Sequence, residues 1–279
     1  MLHRRGAGAF CEIVAALLVT AAPAFAGAPY VTDDPEPTPY RSYELVVASD
    51  YARSADSVDV TSPHFDFNYG LMPNVQVTTT LPLAGSKPAG GSMHFGYGDT
   101  QFQVKARVVQ ETEHFPQISL GAGIDVPSGN AAKNLGGGYE KSCFPLWAEK
   151  GFGKYTVFGG GGLWHNPGAS NKDYTFGGLA VIRDMGHGLT LGTELFGQSA
   201  DTIGAKNSLG FNFGVNRQTD EHHEILFSMG RSLRGPNTLS AYAAFGWMLG
   251  PRDKPDSADA ASADDEQPQT ADKLDARKH

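Results

Sequence analysis

Apolar and polar residues alternate along much of this chain. In Gln101 to Val108, Phe102, Val104, Ala106 and Val108 interleave with Gln101, Gln103, Lys105 and Arg107, and a strand of period two sends the two sets to opposite faces. The same alternation recurs in Tyr43 to Ser49, Pro63 to Tyr69, Asn74 to Leu81, Gln117 to Asp125, Leu189 to Gln198, Leu209 to Asn216, His223 to Gly230 and Leu239 to Leu249. Lys154 to Trp164 and Tyr174 to Arg183 are further strands, while Ser142 to Lys150 is less regular, and its Pro145 suits an edge or a bulge better than a ladder position. The set amounts to about twelve strands of about ten residues, an even number as bacterial single-chain barrels have. Connections alternate too: 50–61, 84–98, 126–138, 166–172, 199–207 and 231–238 are long, and those between them are mostly shorter. The pattern predicts an all-β fold, a closed antiparallel up-and-down transmembrane β-barrel over 42–249, with long loops outside and both chain ends at the periplasmic side.

The ends fit that location. Arg4 and Arg5, the apolar run Ile13 to Ala22 and Ala24-Phe25-Ala26 read as a secretory signal peptide over 1–26, cleaved after Ala26. Cys11 lies too early to become a lipoprotein cysteine, and Cys143 is then the single cysteine of the exported chain, so no internal disulfide is expected. Residues 27–41, with Asp33-Asp34-Pro35-Glu36-Pro37, read as an extended periplasmic leader. Residues 250–279, rich in Asp, Ala, Ser, Gln and Lys, read as a disordered acidic tail.

Composition narrows the function classes. The chain has 279 residues, 35 of them glycine, with 19% charged residues and a formal net charge of −8, which argues against a nucleic-acid partner. Beyond the signal region no stretch offers the ~18 continuous apolar residues of a membrane helix. The mean hydropathy of −0.30 is compatible with a membrane barrel because the lumen half of each strand is polar. No cofactor is implied.

Several clusters raise other chemistry. Asp220-Glu221-His222-His223-Glu224 has metal-ligand side chains but falls at a turn without a remote ligand set. Gly159 to Gly162 and Gly151-Phe152-Gly153-Lys154 lack the spacing of a phosphate-binding loop. Ser62 with His64, and Ser92 with His94, raise an outer-membrane hydrolase, which needs serine, histidine and an orienting group to converge. The His-x-Ser-Asn-Gly signature of barrel phospholipases is absent, and the sequence predicts no catalytic residue.

Pro29-Tyr30-Val31-Thr32-Asp33-Asp34-Pro35-Glu36-Pro37, Pro63 to Gln76 and Gly96-Tyr97-Gly98-Asp99 resemble a proteobacterial family of outer-membrane transporters also described as phenol-degradation meta-pathway proteins. The resemblance runs from about residue 28 to 249, the leader being its most specific part. It implies a Gram-negative outer-membrane barrel that passes small organic molecules and carries no catalytic residues. The chain departs from barrel custom at its end, where Trp247 is followed by the tail instead of a terminal aromatic residue.

The inward register names the candidate lumen residues: Glu44, His64, Asp66, Gln103, Lys105, Arg107, Glu149, Arg183, Glu194, Gln198 and Glu224. Trp147, Phe158 and Trp164 are further inward candidates, and the Asp33-Asp34 leader has the charge to meet Lys105 or Arg107 at the periplasmic mouth. Expected partners are outer-membrane lipid, the barrel-assembly machinery and a small-molecule solute. The leading expectation is a passive channel or binding barrel for small, aromatic or apolar molecules. The alternatives are a closed structural or recognition barrel, and a secreted β-sandwich.

Overall fold

The computed structural model describes residues 29–250; the signal-peptide and acidic-tail expectations fall outside them. Thirteen strands follow one another: β1 (Tyr43–Arg53), β2 (Ser57–Met72), β3 (Val75–Pro88), β4 (His94–Tyr97), β5 (Thr100–Val109), β6 (Gln117–Val126), β7 (Lys141–Phe152), β8 (Tyr155–His165), β9 (Tyr174–Gly186), β10 (Leu189–Gln198), β11 (Ser208–Gln218), β12 (His223–Arg234) and β13 (Leu239–Leu249). Apart from β4 and β5, which both pair with β3, each pairs antiparallel with its sequence neighbour, and β1 pairs with β13 from Tyr43 opposite Leu249 to Arg53 opposite Leu239. The sheet therefore closes on itself. Strands β4 and β5 both lie along β3, interrupted at Gly98 and Asp99, so they form one stave and the barrel has twelve.

Closure leaves the outward face to be explained. Phe102, Val104, Leu120, Phe144, Leu146, Leu163, Leu179, Leu195, Phe213, Ile225, Phe227 and Met229 all stand exposed. Water would not tolerate so continuous an apolar surface, and lipid requires one. At the short-turn end Tyr43 stacks on Tyr69 at 4.5 Å and Phe245 meets Trp247 at 4.3 Å, forming part of an aromatic girdle at that rim. Tight turns such as Pro73-Asn74, with Asn74 at φ 64°, and His187-Gly188 mark this as the periplasmic end.

The structure corrects two loop boundaries and the placement of Pro145. The expected loops 50–61 and 84–98 are largely strand, because β1, β2 and β3 run on through them as long hairpins. Alternation persists there (Val58 and Val60 around Asp59), and a one-residue bulge in β2 between Thr61 and His64 switches its inward set from even to odd numbers. Pro145 is neither at an edge nor at a bulge. It sits mid-strand in β7 opposite Gly121, where the β6–β7 ladder merely skips from the Leu120–Leu146 pair to Gly123–Cys143 without changing register. The proline lacks the N–H for that step, and the missing Cβ of Gly121 makes room for its ring.

The leader holds the largest departure from expectation. Instead of lying in the periplasm, it turns up into the barrel and crosses it.

Candidate functional site: the lumen and its leader

The leader enters beside β2, where Arg41 N–H donates to Gly70 O at 2.8 Å and Gly70 N–H to Ser42 O at 3.0 Å. Thr38 then donates through N–H and hydroxyl to the Gln76 side-chain oxygen of β3, at 2.7 and 3.0 Å. Glu36 receives Arg107 Nη1 at 2.6 Å, while the same guanidinium donates to Asn74 Oδ1 and Gln117 Oε1, tying the leader to the mouth. Lys105 Nζ binds the Asp33 carboxylate at 2.9 Å and Asp34 O at 2.8 Å. Beyond Asp33 the chain reaches the opposite wall. There the Glu194 carboxylate of β10 accepts Val31 N–H (2.8 Å), Thr32 N–H (2.9 Å), the Thr32 hydroxyl (2.7 Å) and Asn212 Nδ2 (2.7 Å).

That wall is shaped to receive it. A Cβ at Gly178 of β9 would overlap the Thr32 hydroxyl, one at Gly192 of β10 the Tyr30 hydroxyl, and one at Gly214 of β11 the Tyr30 ring. Three inward glycines thus form a seat for two leader side chains, and Tyr30 completes its contact on Phe158 at 6.1 Å. Side-chain bonds and shape hold the leader along most of its length; strand pairing is limited to one bridge between Tyr40 and Gly70.

Above the leader the lumen opens into a cavity of about 680 Å³, floored by Tyr30, Val31 and Asp33. One wall is aromatic: Trp147, Trp164, Tyr174 and Phe176 from β7 to β9, with Trp147 5.9 Å from Phe176 and Trp164 stacked on Tyr174 at 6.1 Å. Across the ring, β1 and β2 contribute Asp50, Asp59, His64 and Asp66, and β3 and β5 contribute Gln76, Thr78, Thr80, Gln101, Gln103 and Lys105. His64 bridges two carboxylates, Nδ1 to Asp50 at 3.0 Å and Nε2 to Asp66 at 3.3 Å. A small apolar cluster, Val46, Ala48, Leu226 and Ala244, fills the wall at β1, β12 and β13.

The candidate residues divide accordingly. His64, Asp66, Gln103, Lys105 and Gln198 line the cavity. Glu44, Glu194 and Glu224 are buried on inward positions, with Glu44 receiving Asn68 Nδ2 and Glu224 receiving Asn216 Nδ2. Arg107 and Glu149 flank Gln117 near the mouth, joined through it. Arg183 is a correction. Ala180 is fully buried on the inner face, so the odd positions Leu179, Val181 and Arg183 point outward, and the Arg183 guanidinium lies 5.5 Å from the Tyr155 ring centroid at the periplasmic rim. Trp147, Phe158 and Trp164 are inward; Trp147 is 4% and Phe158 1% exposed. Sequence reading missed Asp50 and Asp59, which fell in a supposed loop, although the Val58-Asp59-Val60 alternation marks Asp59 as facing away from lipid.

The other clusters resolve into structure. Asp220 accepts the His222 and His223 N–H groups in the β11–β12 turn, His223 packs outside near Trp247, and Glu224 points into the lumen. Ser62 bonds Ser49 at 2.6 Å while His64 is held by its two aspartates, so that serine and that histidine do not pair.

No protein-family model matches the chain, and no curated protein matches it in sequence. Solved structures do resemble it. An outer-membrane channel from Pseudomonas putida F1 superposes with TM-score 0.67 at 15% identity, covering 77% of this chain and 98% of that one. The NanC porin gives 0.52 at 9% identity over 74% and 100% of the two chains. The translocator domain of the autotransporter NalP from Neisseria meningitidis gives 0.50 at 9%, over 74% and 88%. At such identities the likeness is one of architecture, and the architecture is that of an outer-membrane β-barrel.

Proposed function

We propose that the protein is a passive channel or binding barrel for small organic molecules with aromatic or apolar bodies, closed in this state by its own leader. It is read as a member of the transporter family that its leader sequence resembles. The observation that carries the reading is the aromatic-walled cavity directly above a leader held by side-chain bonds and not built into the sheet. A barrel meant only as a wall gains nothing from a cavity of ligand size, typically about 300–1,000 Å³, and the P. putida neighbour is itself a channel. The leader's ionic ties to Lys105 and Arg107 favour a second reading, a permanently plugged structural barrel.

Recording in planar bilayers separates the two. Lys105→Glu places a carboxylate against Asp33 and should release that part of the leader, raising conductance and the flux of phenol-sized solutes into proteoliposomes. A barrel silent and impermeable both as wild type and as Lys105→Glu would leave the structural reading standing.

A further inference from the structure

We propose that the cavity above the leader prefers organic cations, taking an apolar or aromatic body with an ammonium group and rejecting the matching carboxylate. The inference rests on the channel or binding reading and names the substrate class for it.

Charge balance inside the cavity motivates it. The charged side chains lining it are Asp33, Asp50, Asp59, Asp66, Lys105 and His64. Four carboxylates thus face one ammonium and one imidazole, an excess of two negative charges with His64 protonated and three without. Neither base is free to greet an anion. Lys105 is committed to Asp33 and the Asp34 carbonyl, and His64 lies between Asp50 and Asp66. Among the described residues, Asp59 receives the hydroxyls of Ser57 and Ser86 and no base. An entering carboxylate meets acids without an available counter-charge, in a space whose apolar walls strengthen the field.

A cation finds two complementary surfaces. Asp50 and Asp59 offer carboxylate oxygens from one side, and Trp147 and Phe176 line the other, where an aromatic ring attracts a cation. The barrel already uses this chemistry at the cavity's edge, where Lys141 Nζ stands 5.3 Å from the Trp164 ring centroid with Asp125 at 3.2 Å. Ammonium, indole and carboxylate coexist there in the arrangement assigned to the ligand. The cavity is large enough for one aromatic amine with room for water.

Calorimetric titration of the purified full chain in zwitterionic detergent tests this with three ligands of one skeleton: phenethylamine, 2-phenylethanol and phenylacetate. Phenethylamine should bind about tenfold or more tightly than phenylacetate, with the alcohol between them. Asp50→Asn with Asp59→Asn should shrink that ratio, and Trp147→Ala should weaken all three. Equal or tighter binding of phenylacetate, no binding by any of the three, or a ratio unmoved by the aspartate changes would overturn the proposal; the wild-type ratio alone decides if a variant fails to fold. Bilayer recording keeps the two readings apart. Cation-selective binding by a barrel that never conducts removes the channel and keeps the cation site, whereas conduction without cation preference does the reverse.

Discussion

Replacing Glu194 by Gln tests the leader as the element that closes the lumen. Four donors converge on this carboxylate, three of them from Val31 and Thr32. Glutamine keeps the volume but turns one acceptor oxygen into an NH2 group, so the donors on that side face another donor. A hydrogen bond to a charged group contributes about 1.5–3 kcal/mol. Loss of the Oε2 side removes both Thr32 bonds, which at the lower value costs the docked leader up to about 3 kcal/mol. At ~1.4 kcal/mol per factor of ten, the docked-to-displaced ratio falls roughly a hundredfold. Lys105 and Arg107 keep their own leader partners, so the change loosens the far end first. Single-channel recording should show the open fraction rising by up to about two orders of magnitude, and hydrogen exchange should show Val31 and Thr32 losing protection. The heat-modifiable gel shift of the closed barrel should persist. If Val31 and Thr32 are deprotected and conductance does not move, the leader is not what closes the lumen; if their protection is unchanged, Glu194 is not the anchor.

Gly214→Val puts a side chain where the Tyr30 ring lies, so it should expose Tyr30 to hydrogen exchange and raise conductance without unfolding the barrel. Phe213 is 61% exposed in the middle of β11; Phe213→Arg should destabilise the protein by about 2–4 kcal/mol in urea titrations from lipid vesicles, the cost of a base at the bilayer midplane. Phe213→Leu should be nearly silent in the same titration. Asp173, in the β8–β9 loop, is held below its usual carboxylate range by the Asn166 N–H and then by His165. Its stabilisation is complete above the unfolded pKa and is lost as pH falls through the lower folded value. Protection factors in 166–173, corrected for intrinsic exchange, should therefore fall only in acid below the ordinary carboxylate range, and Asp173→Asn should flatten that dependence.

Gln101 to Val108 shows why so much of the barrel was legible. A strand with one face on lipid and the other on polar groups must alternate, and twelve staves written that way can be read one at a time. Pro145 broke the reading locally because a proline in a ladder is compatible with more than one geometry, and only its neighbour across the strand, Gly121, decides. Arg183 misled for a related reason. A charge in mid-strand marks the inner face, whereas at the rim a long base lies outside over Tyr155. The leader was legible in its charges, since Asp33 does meet Lys105, but not in its depth. Its path depends on absent side chains at Gly178, Gly192 and Gly214, three positions scattered over three strands that become one surface only after the barrel closes.

The hydrogen bonds between Arg41, Ser42 and Gly70 make the leader a leashed occupant. Should its outer part lift from the Glu194 wall, about ten residues separate Tyr30 from the clamp, and a chain so short keeps its end near the seat at an effective concentration on the order of millimolar. Recapture is then intramolecular, indifferent to protein dilution and fast against any soluble competitor. On the proposed channel reading, vacancies come as short bursts and a solute would cross by arriving during one, so flux would be set by the leash's return time as much as by the width of the passage.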